Sequence, residues 1–427
     1  MINTESSLLY SLAAPVNSSS PFLDCLCYDF NERMYYYGQH FKNPKESKNT
    51  KSDLKFFIKN LYRLSVTNKQ FMQEGSVVCS SYENLVGLFA KYKLPVVPVP
   101  WHTYWRSGID GLNRCIHTMQ QRLGSDLAVQ LREPTLAADL QVLYEKLSEL
   151  FYRHRGLIVP YDLPFFENMA IRACASAGRP SVVMLHGLPG RYNAIDDNRA
   201  DWLAVWGPAI KECFVRAGVP ANKIIVTGTS RWHGHPRALK FGGLDSVLLI
   251  AKTLPGGQPD SSQTIIADRS QTIRYALELR SVLEPLGVER VRFRPHPSEN
   301  SGWYRAFLDP AWFDIDTLGI SESLARSSLV IGPTSTVLID ALFAGRNYLV
   351  FEPGVEERGL SGFSLVPPFD GSDIRVPFAR TAAALKELIS SKAVLDYDLA
   401  RDYAPGPVDA SQLVEIFLDG KVLNERN

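Results

Sequence analysis

The sequence carries almost no net charge: 46 Lys and Arg stand against 45 Asp and Glu, leaving +1. Without a basic field, nothing draws the chain as a whole toward nucleic acid. Long apolar runs are missing too, and none reaches the roughly 18 residues of a membrane-spanning helix. The start of the chain has no basic residues ahead of its short apolar stretch 8–16, so it does not read as a secretory signal. The expected location is the cytoplasm, with peripheral contact at the inner membrane face left open. Cysteines are few and irregular (Cys25, Cys27, Cys79, Cys115, Cys174, Cys213). The one close pair, Cys25-x-Cys27, lacks the two-residue spacer of a zinc knuckle or redox motif, so reduced thiols are expected. No internal repeat appears. The one charge run is the basic segment 42–63, from Lys42 to Arg63. It reads either as a solvated loop leading into an amphipathic helix or as a docking surface for anionic lipid or polysaccharide.

What is present is alternation. With 427 residues the chain is too long for one core, and two or three domains are expected. Leu136, Leu140, Leu143, Leu147, Leu150 and Phe151 recur at helical spacing. Short apolar runs at 157–159, 181–185, 202–206 and 223–227 then read as buried strands, separated by helical stretches such as 165–177. A segment rich in Gly, His, Arg and Pro follows at 228–245 and reads as a linker. The pattern resumes with strands at 246–252, 290–294, 328–332 and 348–352 and helices at 272–286 and 336–344. Such alternation means βαβ units and parallel sheets. The expected fold is α/β, with two doubly wound Rossmann-like domains facing a cleft. Their limits are set at 1–235 and 236–405, with a last helix in 406–427 packing back on the first domain. Ligands in such sheets lie at the carboxyl ends of the strands.

Two strand ends carry the chemistry. The first delivers Arg294-Pro295-His296-Pro297. Two prolines fix the backbone on both sides of one imidazole, which then donates to a phosphate or protonates a departing one. Arg294 offers a fork of donors to the same oxygens. The alternative is a structural turn with His296 bonded to backbone. The second is Gly332-Pro333-Thr334-Ser335-Thr336, a strand-to-helix turn whose hydroxyls are ordinary helix caps or, with the N–H groups beside them, a phosphate seat. A third candidate is Gly256, where glycine lets backbone N–H groups approach a phosphate or simply makes a turn. His186 stands at a strand end, and Asp196-Asp197 lie in the loop beyond it. His233-Gly234-His235 lacks an acidic third ligand nearby, so no metal site is assigned.

Arg-x-His-Pro, followed about 40 residues later by a strand and a Ser/Thr-rich helix start, resembles bacterial capsule and lipopolysaccharide transferases of the GT-B fold. These include polysialyltransferases, β-Kdo transferases and teichoic-acid glycerophosphotransferases. His186-Gly187, Asp201, Trp206-Gly207 and Ile225-Val226-Thr227-Gly228 look like a series that recurs in the same families. The resemblance covers roughly residues 186–353. It implies a metal-independent glycosyltransferase with no cofactor. The second domain would take a CMP-sugar donor, and the first an oligosaccharide or lipid-linked glycan. His296-Pro297 and Ser335-Thr336 would hold the CMP, helped by Arg294, Gly332, Thr334 and Gly256. Glu299 and Glu352 would meet ribose or base. His296, His186 and Asp268 would be catalytic, with Asp260 as the other candidate nucleophile and a helix cap as the alternative for Asp268. Two departures are plain. The polysialyltransferases carry an acidic pair where this chain has His186-Gly187, and their interdomain Gly-x-Pro-x-x-Asp is replaced by Gly228-Thr229-Ser230-Arg231-Trp232-His233. Other readings are a CDP-glycerol glycerophosphotransferase, a sugar-nucleotide epimerase and a non-catalytic nucleotide- or glycan-binding protein.

Overall fold

A computed structural model describes residues 4–30, 74–80, 85–98, 125–192, 199–232, 234–252, 255–256, 266–267, 269–296, 301–354, 359–360 and 364–421. The basic segment 42–63 lies outside the described residues.

The first sheet is built from β1 (Val77–Cys79), β2 (Val96–Pro98), β3 (Gly156–Val159), β4 (Ser181–Met184), β5 (Trp202–Val205) and β6 (Ile224–Val226), in the order β2-β1-β3-β4-β5-β6. All its strand pairs are parallel. Its helices are α1 (Thr4–Asn17), α2 (Leu85–Ala90), α3 (Ser125–Leu131), α4 (Leu136–Arg153), α5 (Phe165–Ser176) and α6 (Pro208–Arg216). Alternate residues along each strand go to opposite faces. Val78, Leu157, Val159, Val183, Leu203 and Val205 pack with α4 and α5. Val77, Ile158, Val182, Met184 and Ala204 face the other way, onto Leu85 and Phe89 of α2. Burial on both faces explains why these strands read as continuous apolar runs.

The second sheet contains β7 (Val247–Ile250), β10 (Val291–Arg294), β11 (Phe313–Ile315), β12 (Leu329–Gly332), β13 (Asn347–Phe351) and β14 (Phe378–Ala379), ordered β11-β10-β7-β12-β13-β14. Counted within the domain this is 3-2-1-4-5-6, the strand order of dinucleotide-binding sheets. Between β7 and β10 a short antiparallel pair, β8 (Pro255–Gly256) and β9 (Ile266–Ala267), precedes α7 (Arg269–Leu283). The remaining helices of this half are α8 (Ser301–Tyr304), α9 (Ile320–Ala325), α10 (Val337–Phe343) and α11 (Ala382–Ser390). Val247, Leu249, Phe293, Ile331 and Phe351 pack on α7 and α11. Leu248, Ile250, Val330 and Tyr348 face the other side and join the core that includes α4 and α5 of the first half. The two halves therefore share one continuous apolar cluster. Two doubly wound, Rossmann-like domains facing each other in this way form the GT-B arrangement.

The chain then crosses back. α12 (Leu399–Tyr403) places Leu399, Ala400 and Tyr403 in the shared core, so the return begins before residue 406. Backbone bonds from Thr229 N–H to the Pro405 carbonyl (3.3 Å) and from Asp409 N–H to the Thr227 carbonyl (2.9 Å) fasten it. α13 (Ser411–Asp419) then lays Leu413, Val414, Ile416 and Phe417 against the second face of the first sheet. Trp202 closes the contact by donating its indole N–H to the Lys421 carbonyl at 3.0 Å. Among the described residues no helix is long and apolar enough to cross a membrane.

Phe417 is 1% exposed. Replacing it with Ala leaves a cavity between α13 and the sheet. The expected cost is about 3–5 kcal/mol, read as a fall in melting temperature. An unchanged melting temperature would mean that α13 is an accessory to the first domain and not part of its core.

Candidate active site

In a doubly wound sheet the ligand crevice opens where neighbouring connections leave in opposite directions, outside the carboxyl ends of the strands. In the second sheet that point lies between β7 and β12. Lys252 sits two residues past β7, and its carbonyl accepts from the Thr272 hydroxyl of α7 at 3.2 Å. His296 sits two residues past β10 and is exposed. Its pKa is lowered, chiefly because the folded chain strips water from the ring and then because Lys252 is close by. His296 is therefore neutral at pH 7, and an arriving anion would favour its protonated form. Lys252 escaped notice in the sequence. The signal for it was a basic residue just beyond a buried strand, at a position that only the strand order reveals.

The turn after β12 is held from behind. Glu352, 1% exposed, accepts at one carboxylate oxygen from both the N–H and the hydroxyl of Thr334. Its other oxygen accepts from the Leu360 N–H at 2.9 Å. The sequence assigned Thr334 to a phosphate and Glu352 to a ribose or base; the structure commits them to each other, because a buried carboxylate needs donors. Gly332 also changes role. A Cβ there would collide with the Tyr348 hydroxyl and come within 2.8 Å of Ile250 Cβ. The glycine thus makes room for Tyr348, which donates to the Pro333 carbonyl at 2.7 Å, and not for a ligand.

Ser335 and Thr336 differ from Thr334. The Ser335 hydroxyl oxygen accepts from Val337 N–H at 3.2 Å. The Thr336 oxygen accepts from Leu188 N–H of the first domain at 3.0 Å. In both, the bond uses an oxygen lone pair, and the hydroxyl proton remains to be donated. Gly187 permits the second bond: a Cβ there would lie 2.9 Å from the Thr336 hydroxyl.

Arg294 is a correction. Its side chain is engaged by the segments that follow β11. There it donates to the Leu318 carbonyl at 2.7 Å and the Ser323 hydroxyl at 3.1 Å, with Asp316 at 3.6 Å. It braces the loop after β11 against α9.

On the opposite edge His186 follows β4. Its Nδ1 lies 3.1 Å from the Pro160 carbonyl and its ring stands edge-on to Tyr161 at 5.3 Å. A carbonyl only accepts, so Nδ1 carries the proton and Nε2 is the basic nitrogen of the neutral ring. Desolvation and then the nearby Arg231 hold its pKa down against the raising effect of Pro160. Glu167, in the first turn of α5, went unread in the sequence. It is 7% exposed, and Ser80, just past β1, donates to it at 3.3 Å. β1 and β3 flank the switch point of the first sheet. Burial raises the Glu167 carboxyl to about 7, with Asp29 adding to the rise. Nothing in its sequence neighbourhood marks it, because the shift comes from tertiary burial.

Other assignments separate. Asp268, Pro297, Glu299, Asp196, Asp197, Asp260 and His233 lie outside the described residues. Gly256 is a strand residue of β8 opposite Ile266. Among the described residues no group of three or more His, Cys, Asp or Glu side chains converges as a metal site. Two members of the recurrent series are structural. Asp201 accepts from the N–H and hydroxyl of Ser181 at 2.9 and 2.8 Å, and Trp206 donates to the Leu185 carbonyl at 2.9 Å.

No protein-family model and no curated protein matches the chain in sequence. Solved structures with a similar course of chain include S. aureus MnaA in its UDP co-structure, at TM-score 0.46 and 12% identity, covering 82% of this chain and 98% of that one. A Methanocaldococcus jannaschii UDP-GlcNAc 2-epimerase in complex with UDP-GlcNAc and UDP gives TM-score 0.46 and 9% identity over 81% and 99%. TarM gives 0.37 and 13% over 66% and 58%. The fold assignment rests on strand order and not on these scores.

Glu167 makes stability depend on pH. Its folded pKa of about 7 exceeds the ordinary carboxyl value of 4.5, so its contribution is full below pH 4.5 and is lost as pH rises through 7. Glu167→Gln imitates the protonated form. It should raise the melting temperature at pH 8, by the equivalent of about 3 kcal/mol, and leave it unchanged near pH 4.5. Parallel melting curves for both proteins across that range would show that Glu167 ionises at an ordinary pKa.

Proposed function

We propose that the cleft binds a nucleotide-activated sugar on the second domain and that the protein transfers this sugar to a glycan acceptor on the first. The observation that supports the reading is that His296 and Lys252 follow β10 and β7, while Ser335 and Thr336 follow β12 on the other side of the switch point. Positive charge and fixed donors in that place suit a phosphate that gains charge as the sugar leaves. His186, neutral and basic at Nε2, suits removal of a proton from an acceptor hydroxyl. The likeness of His296-Pro297 and Ser335-Thr336 to CMP-binding motifs makes a CMP-linked keto-sugar acid the preferred donor. The acceptor is then a surface oligosaccharide or lipid-linked glycan.

A second reading is epimerisation of a sugar on its nucleotide. Inversion at carbon needs proton-handling groups beside the sugar. Glu167 joins His186 on the carboxyl edge of the first sheet, which favours this reading. UDP-GlcNAc is the substrate to try, since it is named with several of the similar folds.

A thermal-shift series with CMP, UDP, GDP and CDP-glycerol tests the donor, and selective stabilisation by CMP is expected. Stabilisation by UDP alone, with UDP-GlcNAc altered in the absence of acceptor, would replace transfer by epimerisation. His296→Ala should lower kcat at least about 100-fold with the fold intact. Near-normal turnover would remove His296 from the mechanism. The lowered pKa of His296 gives a further expectation. Nucleotide binding near pH 6.5 should take up protons, seen by calorimetry in buffers of different ionisation enthalpy, and His296→Ala should abolish most of the uptake.

A further inference from the structure

Arg231 belongs to the linker between the domains and touches both. One guanidinium nitrogen pairs with Asp340 of α10 at 3.0 Å, and another donates to the main-chain carbonyl of His186 at 3.4 Å. Asp340 is 10% exposed at its side chain. Its other oxygen accepts from the Trp232 indole N–H at 2.8 Å. Trp232 stacks on Phe343 of α10 at 5.3 to 5.4 Å from its ring neighbours, lying 13° from the plane of Phe343 and edge-on to Trp206 of the first domain. Arg231 lies over the same indole at 5.1 Å. Asp340, the His186 carbonyl and the Trp232 ring thus meet at one guanidinium.

We infer that Arg231 is a positioning residue that carries the placement of the second domain to His186: Asp340 fixes one end of its guanidinium and the His186 carbonyl receives the other. The chemistry follows from who faces the imidazole. Pro160 presents a carbonyl to Nδ1, Tyr161 presents a ring edge, and Arg231 is the charged neighbour. A cation there disfavours the imidazolium and keeps Nε2 unprotonated. Asp340 rides on α10, directly after Thr336, so any movement of that helix away from the first domain carries the carboxylate with it. Arg231 then loses its anchor and His186 its cation. The device holds His186 ready as a base only while the cleft is closed. No principle of packing requires this. A linker arginine that served only to join the domains would be indifferent to the protonation of a histidine in the first.

The consequence for catalysis rests on the proposed role of His186, but the device can be tested with no substrate. The eight histidines can be followed in the whole chain by proton–carbon NMR against pH, with His186 assigned by its loss in His186→Asn. In the wild type His186 should titrate below 6.5. Arg231→Gln should move that titration upward toward 6.5, by a few tenths of a pH unit or more. Asp340→Asn decides the positioning role, because it keeps an acceptor for Trp232 while removing the charge that holds Arg231. If Asp340 anchors Arg231, the guanidinium leaves and the titration rises as in Arg231→Gln. The double variant should then shift no further than Arg231→Gln alone. If Arg231 stays without Asp340, its unneutralised charge drives the His186 titration lower, and the inference is overturned. It is equally overturned if Arg231→Gln leaves the titration where it was. An inactive wild type with these shifts intact would count against the proposed function and leave the positioning role standing.

Discussion

The separation of the two carboxyl edges is fixed where Leu188 N–H meets the Thr336 hydroxyl, and the site is arranged around that separation. A bond of this kind contributes only about 1 kcal/mol net, so it sets the distance without supplying the hold. The hold is apolar. Trp206, Trp232 and Phe343 form a continuous aromatic run from one domain to the other, and the shared core extends it from α4 and α5 to the inner face of the second sheet. The returning chain adds a second tie at α12 and α13. Gly187 belongs to the same constraint. Its missing Cβ lets the loop after β4 reach Thr336, and any side chain there would push the edges apart.

Across this fixed gap the two edges are chemically unlike. The second domain carries Lys252, His296 and two hydroxyls at its strand ends, groups whose chemistry suits an anion. The first carries His186, whose pKa is lowered, and Glu167, whose carboxyl is raised to about 7. Both histidines are neutral, and both chiefly by desolvation, but the second causes differ. His296 is held down by Lys252, a cation that a bound phosphate would partly neutralise. His186 is held down by Arg231, a cation that Asp340 already pairs. Ligand charge therefore reaches His296 directly, whereas His186 is governed by the join between the domains.

Much of the fold was legible because parallel strands buried on both faces leave unbroken apolar runs. Strands β3 to β7, β10, β12 and β13 could be found that way, and so could helices α4 and α5, whereas β8, β9, β11 and β14 were not. β1 and β2 were missed because three residues of Val and Cys or Pro give no period to count. The site was legible only in outline. His296 follows the end of β10, the strand that the run from Val291 to Arg294 suggested. Arg294 was read only as a ligand donor because Leu318 and Ser323, which accept its hydrogen bonds, are distant in sequence. Thr334 and Glu352 were misjudged for a similar reason: a hydroxyl and a carboxylate suited to a ligand are equally suited to each other, and sequence separation hides that they meet. Lys252 and Glu167 carry no local signature at all. One depends on strand order, the other on burial by distant elements.

The hydroxyl of Thr336 joins the two halves of the problem. Its oxygen accepts from Leu188 of the first domain, and its proton remains to be donated. A hydroxyl that accepts a hydrogen bond becomes a better donor, because each bond polarises the next. An anion on the second domain would therefore strengthen the cross-cleft bond, and the closed cleft would strengthen the grip on the anion. Thr334 cannot play this part, since its proton is given to Glu352. Ser335 cannot either, since its oxygen accepts from Val337 within the same turn. Of three adjacent hydroxyls that look alike in sequence, only the third bonds to the other domain.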